Sequence, residues 1–213
     1  KKALYHRSVA AVSQALITFK LMSGQSSKVI TMNTHFDASD DNESYVAATW
    51  VTCYVGLGSN LTNELGSPVE HLQQAIAAMQ KHEQIRAVRV SSFYASAPMG
   101  PQDQPDFINA VAGFETTLTA FELLDFCQAL EQHAKRARLR RWGERSLDVD
   151  ILLYGDAQIS EPQLTIPHAG LPERNFVLIP LRELAPELII AGKPIKHYPL
   201  SDDWTGLKLL SDD

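Results

Sequence analysis

The chain has 213 residues, 45% hydrophobic and 21% charged, with 11 Gly and 11 Pro, a composition that builds a packed core and excludes collagen-like, low-complexity and wholly disordered chains. Nineteen Lys and Arg against 25 Asp and Glu give a net charge of −6, which argues against a general nucleic-acid or anionic-membrane coat. The two cysteines, Cys53 and Cys127, lack metal-ligand spacing, and no run approaches the roughly 18 apolar residues of a membrane span, so a cytoplasmic protein is expected.

Residues 1–50 stand apart: an amphipathic stretch from Val9 to Leu21 precedes Ser-, Asn- and Asp-rich text. They read as an appended helix and linker, partly disordered, before a domain over residues 51–213. From about Thr52 the run CYVGLG predicts a strand entering a Gly58-Ser59-Asn60 turn. Ser67, Pro68 and Glu70 then form a capping-box signature, and Val69, Leu72, Ile76 and Met79 follow at helical spacing. Val88–Tyr94 and Asn109–Thr117 predict two strands, and Thr119 with Glu122 caps a second helix running to about His133. Leu147–Tyr154 predicts a strong strand, Phe176–Leu184 a third helix, and the tail beyond Pro186 an irregular segment. Strand, helix, strand, strand, helix, strand is the order of a ferredoxin-like βαββαβ fold of the α+β class: an antiparallel sheet with helices on one face, here with C-terminal additions.

In LDVDIL, Asp148 and Asp150 lie two apart on the predicted strand, so both carboxylates share one face while Leu147, Val149 and Ile151 face the core. Two converging carboxylates suit Mg²⁺, which takes one or two carboxylates and substrate phosphates, although an isolated D-x-D is as often a solvated strand face. Just upstream, Lys135–Arg145 (KRARLRRWGER) carries six basic residues and one acidic residue. Guanidinium forks bind phosphoryl oxygens bidentately, so the combination suits polyphosphate transfer; by itself the basic run is equally a nucleic-acid loop or a surface charge run. His168 and Arg174 are further phosphate candidates. The loop from Ser96 to Asn109 is apolar at Pro98, Met99 and Phe107 and carries amides that can frame a flat heteroaromatic ring.

Taken together, GSNL (58–61), SSFY and PMGPQDQPDFIN (91–109), RWGERSLDVDILL (141–153) and LTIPH with RNFVLIPL (164–181) resemble one family, the 6-hydroxymethyl-7,8-dihydropterin pyrophosphokinases of folate biosynthesis. The resemblance runs from about Thr52 to about Glu187. It implies transfer of the pyrophosphoryl group of ATP to the pterin hydroxymethyl oxygen, with release of AMP. It implies Asp148 and Asp150 as holders of two Mg²⁺ ions, and Arg136 and Arg145 as arginines that meet the phosphates. For ATP it further points to Gln128, Glu131, Arg138, Trp142, Ile151, Thr165, His168 and Arg174. For the pterin it points to Phe107 and Phe176 as stacking faces, Asn109 as reader of the ring edge, and Gly58, Ser96 and Met99 beside them. The chain departs from the family pattern at Ala169, where an aromatic often follows the histidine, at Lys135, where Gly is common, and by one residue missing between Glu131 and Trp142. The partners expected are small molecules alone, with no nucleic acid and no membrane, acting on a monomer.

An RNA-binding ferredoxin-like module is the rival reading, because such sheets with basic loops bind single strands. No RNP1-type run appears on a predicted strand, and the net charge is negative. A nucleotidyltransferase reading fails on distance, since Ser59 and Asp148 are far apart in sequence.

Overall fold

The computed structural model describes residues 49–135 and 143–210. The proposed extension over residues 1–50 thus lies almost wholly outside the described residues, as do Arg136, Arg138 and Trp142. The chain lays down β1 (Val51–Ser59), α1 (Pro68–Lys81), β2 (Ile85–Val90), β3 (Tyr94–Ser96), β4 (Phe107–Thr116), α2 (Ala120–His133) and β5 (Asp148–Tyr154). It continues with β6 (Ile159–Glu161), β7 (Leu164–Ile166), α3 (Asn175–Leu184), β8 (Ile189–Ile190), β9 (Lys193–Pro194) and β10 (Leu207–Leu209).

Both capping boxes form. Ser67 Oγ accepts from the Glu70 N–H while a Glu70 carboxylate oxygen accepts from the Ser67 N–H, and Thr119 and Glu122 repeat the exchange at α2. Each cap stabilises its helix by about 1 kcal/mol.

The main sheet is antiparallel throughout, in the order β10-β3-β4-β1-β5, with β2 also pairing with β4. On one face, Leu72, Ala75 and Met79 of α1 and Leu123 and Cys127 of α2 pack against Val55, Leu57 and Ile151. On the other, Val177, Leu178 and Leu181 of α3 cover Tyr54, Val111 and Leu152. Fully burying a side chain such as Leu72 contributes about 1.5–3 kcal/mol. The pairing of β1 with β5 slips between Tyr54 and Val55, leaving Leu152 as the extra residue of a bulge. That places Leu152 and Leu153 together in the α3-side core, whereas Val149 and Ile151 face α1 and α2.

Two expectations are corrected. The strand expected over Val88–Tyr94 is two: at the break the Ser91 N–H donates to the Val111 carbonyl, while Ser91 Oγ accepts from the Val111 N–H, doing the work of a ladder carbonyl. Glu183 of α3 then accepts from the Ser92 N–H, the Ser92 hydroxyl and the Tyr94 hydroxyl, fixing the interruption. The tail is not irregular, because β8 and β9 form a small hairpin and β10 pairs with β3 at the sheet edge. No helix among the described residues is long and apolar enough to cross a membrane.

Candidate active site

Alternation along β5 sends Val149 and Ile151 into the core and leaves Asp148 and Asp150 half-buried on the α3 side, beyond the helix. β1 runs beside them, with Gly58 opposite Asp148 and Gly56 opposite Asp150. On the far side of β1, Gly58 is opposite Asn109 of β4. With no side chain at Gly58, the amide of Asn109 and the carboxylate of Asp148 border a shared cleft, walled by Phe107, Phe176, Arg145 and Arg174.

The pterin candidates come together there. Asn109 is buried, and its Nδ2 donates to Ser96 Oγ at 2.9 Å and to the Phe107 carbonyl at 3.3 Å, which fixes the amide's orientation. Phe107 and Phe176 both line the cleft, and the Arg145 guanidinium lies 5.9 Å from the Phe107 ring centre. Met99 is 52% exposed at the mouth, open to cover a bound ring. Flat, partly apolar walls with one oriented amide suit a planar heterocycle whose edge must be read by hydrogen bonds.

The anionic side is balanced by cations. Arg145 pairs with Asp148, and Arg174 Nη1 lies 3.3 Å from Asp150 Oδ2. His168 Nε2 is 3.7 Å from the same oxygen. Burial pulls the His168 pKa below its usual value, outweighing the opposite pull of Asp150, so the ring is neutral at pH 7. Its Nδ1 accepts from the Gly170 N–H at 3.1 Å, which leaves the proton on Nε2, aimed at the carboxylate and available to an incoming oxyanion. A Cβ at Gly170 would meet the Arg174 Cζ at 2.8 Å, so a larger residue there would displace the guanidinium from its place beside Asp150.

Among the described residues no cluster of three or more His, Cys, Asp or Glu forms a self-sufficient metal cage. Two hard carboxylates with open space beside them fit Mg²⁺, which fills its remaining positions with water and phosphate. The other nucleotide candidates are more dispersed. Gln128 is exposed on α2 and Thr165 is exposed on β7. Glu131 accepts from the Val149 N–H at 2.9 Å, tying α2 to the start of β5. Ile151 is buried among α1 and α2 residues, so any contact it makes with a ligand runs through its main chain. Asn60 and Gly170 escaped the sequence reading as site residues, and Gln104 entered it only as one of the unnamed amides of the 96–109 loop. Asn60 stood in GSNL, a motif of the resemblance that by itself reads only as a turn, and the space beside Gly170 is filled by a long side chain four residues later.

The family model of 7,8-dihydro-6-hydroxymethylpterin-pyrophosphokinase (HPPK) matches residues 54–186. The chain belongs to this family. The 2-amino-4-hydroxy-6-hydroxymethyldihydropteridine pyrophosphokinase of Haemophilus influenzae is 49% identical over 145 residues, 68% of this chain and 88% of the relative. That of Pseudomonas aeruginosa is 47% identical over 146 residues, 68% of this chain and 86% of the relative. Among solved structures, a mutant Plasmodium falciparum HPPK-DHPS aligns with a TM-score of 0.54 at 14% identity, over 74% of this chain and 45% of that one, a likeness of fold alone.

Proposed function

We propose that the cleft between Gly58, Asn109, Asp148 and Arg174 is where this pyrophosphokinase works. The enzyme transfers the pyrophosphoryl group of ATP to 6-hydroxymethyl-7,8-dihydropterin in folate biosynthesis. The hydroxymethyl oxygen bonds to the β-phosphorus, the bond from that phosphorus to the oxygen shared with the α-phosphorus breaks, AMP leaves, and the hydroxyl proton passes to water. The observation that carries the assignment is the shared border at Gly58, which sets a ring-reading amide and a metal-binding carboxylate side by side.

Asp148 and Asp150 are the residues that hold Mg²⁺, two ions in this reading, and the bound metal supplies charge neutralisation and alignment of the triphosphate. Arg145 and Arg174 exchange their carboxylate partners for phosphoryl oxygens, and the Nε2–H of neutral His168 donates to the same group. Phe107 and Phe176 hold the pterin between them while Asn109 selects its edge. Positioning and electrostatics then carry the catalysis, with no covalent intermediate.

With β2 and β3 taken as one interrupted strand, the strand order supports a ferredoxin-like core. The enzymatic domain spans 51–213 in this reading and acts in the cytoplasm as a monomer. Incubation with ATP, Mg²⁺ and the pterin, followed by chromatography of the nucleotides, tests the assignment. AMP formed only with pterin present is expected; ADP, or no turnover by folded protein, overturns it.

A further inference from the structure

Asn60 joins the two walls of the cleft. It is 2% exposed and follows the last residue of β1. Its backbone N–H donates to the Arg145 carbonyl at 3.0 Å, and its Oδ1 accepts from the Arg145 N–H at 2.9 Å. Its Nδ2 donates twice in the other direction, to Gln104 Oε1 and to the Pro105 carbonyl, each at 3.0 Å. Gln104 Nε2 carries the link onward to the Pro101 carbonyl at 2.9 Å. One amide therefore grips the main chain of the residue whose guanidinium pairs with Asp148 and, with its other end, the loop that delivers Phe107.

We propose that Asn60 is a positioning residue that sets the pterin wall through Nδ2 and the phosphate wall through Oδ1, so that both ligands meet a preformed site. The proposal rests on the assignment of the cleft given above. Its chemistry is specific to an amide. Aspartate keeps the acceptor toward Arg145 but turns an anionic oxygen toward the two oxygens that Nδ2 now serves. Serine and alanine reach neither wall. The two connections are also unequal. The Leu61 N–H donates to the Arg145 carbonyl as well, at 3.2 Å, so the phosphate wall keeps main-chain support when the side chain changes. Damage on the Nδ2 side should therefore fall on the pterin.

The test compares wild type, Asn60→Asp, Gln104→Ala and the double variant, each as the full chain with folding checked by thermal melting. Calorimetry measures binding of the pterin and, separately, of α,β-methylene-ATP with Mg²⁺; steady-state kinetics supplies kcat and both KM values. Asn60→Asp should weaken pterin binding at least about tenfold and raise the pterin KM in step, with the nucleotide Kd within about threefold of wild type. Gln104→Ala should shift pterin binding in the same direction by less, and the double variant should lose little beyond Asn60→Asp, because both lie on one link. Equal losses for the two ligands, or unchanged pterin affinity in folded Asn60→Asp, would overturn the proposal. If Asn60→Asp does not fold, unchanged pterin affinity in Gln104→Ala overturns it instead. A wild-type protein that binds no pterin would sink the cleft assignment itself, a separate result from losing the ligand selectivity.

Discussion

Asn109 and Asp148 meet the same residue from opposite sides: Gly58 is the register partner of both, through β4 and through β5. Across an antiparallel ladder, directly opposed residues send their side chains to one face. An amide suited to a ring edge and a carboxylate suited to a cation are thereby one strand apart on each side of a glycine. In the function proposed above, the acceptor alcohol of the pterin and the phosphate that it attacks meet over that glycine.

Gly58→Ala tests the floor directly. A Cβ there would lie 3.6 Å from Asn109 Oδ1, 3.9 Å from Asp148 Cβ and 4.0 Å from Phe107 Cδ1, all ordinary van der Waals contacts. The variant should fold with a melting temperature close to wild type, since nothing in the protein must move. The methyl group nevertheless occupies ligand space, and overpacking of this kind costs about 1–3 kcal/mol, so pterin affinity should fall about tenfold or more. Unchanged pterin binding would show that the ring does not rest on Gly58.

Asp150→Asn removes a charge at constant shape. Asp150 faces Arg174 and His168 and is partly exposed, so the fold should persist. Removing one preorganised electrostatic group from a site of this kind costs about 10²–10³ in kcat, and turnover should fall by that much at saturating ATP and pterin. Assay across a range of Mg²⁺ concentrations checks the role: the variant should need more Mg²⁺ to reach half its own maximal rate. Near-normal turnover with an unshifted Mg²⁺ requirement would refute the metal assignment.

The parts legible in the sequence were those fixed by local chemistry. The two capping boxes depend on side chains three residues apart, and the shared face of Asp148 and Asp150 depends only on the period of a strand. The break between β2 and β3 was not legible. It rests on Ser91 bonding Val111 and on Glu183 reaching back from α3, contacts between residues distant in sequence. The placement of β10 against β3 is long-range in the same way. Asn60 gives the sharpest case, because its four hydrogen bonds end on Arg145, Gln104 and Pro105, and nothing near it in the sequence announces them.

Both cysteines should be silent toward thiol reagents in the native enzyme. Cys53 is wholly buried, and burial pushes its thiol up to about 12. Burial also raises Cys127, with the charges of Glu131 and Asp150 adding to the effect. The reactive species is the thiolate, so a chromogenic disulfide at pH 8 should release no signal until denaturant is added, and then signal for two thiols. Fast labelling of the folded protein would contradict the packing around α2 and β1.

His71 of α1 should make the fold acid-sensitive. It is fully buried, and apart from a weak pull from the Gly66 main chain neither ring nitrogen meets a well-formed hydrogen-bond partner. Burial lowers its pKa below the ordinary 6.5, outweighing the favourable charge of Glu70 and the Gly66 main chain; Lys81 and His133, which border the same groove between α1 and α2, add no negative charge. The unfolded chain therefore takes up a proton on His71 near pH 6.5 while the folded chain resists it. Where the unfolded state binds more protons, stability falls as pH falls, so the loss begins near pH 6.5 and continues down to the folded-state pKa. His71→Leu removes the titration and the poorly partnered ring nitrogens together. Urea unfolding at pH 7.5 and pH 5.5 should show the variant more stable at the higher pH, by about 1 kcal/mol, with the gap widening at the lower one. A gap that narrows on acidification would mean that the folded state holds His71 in its protonated form.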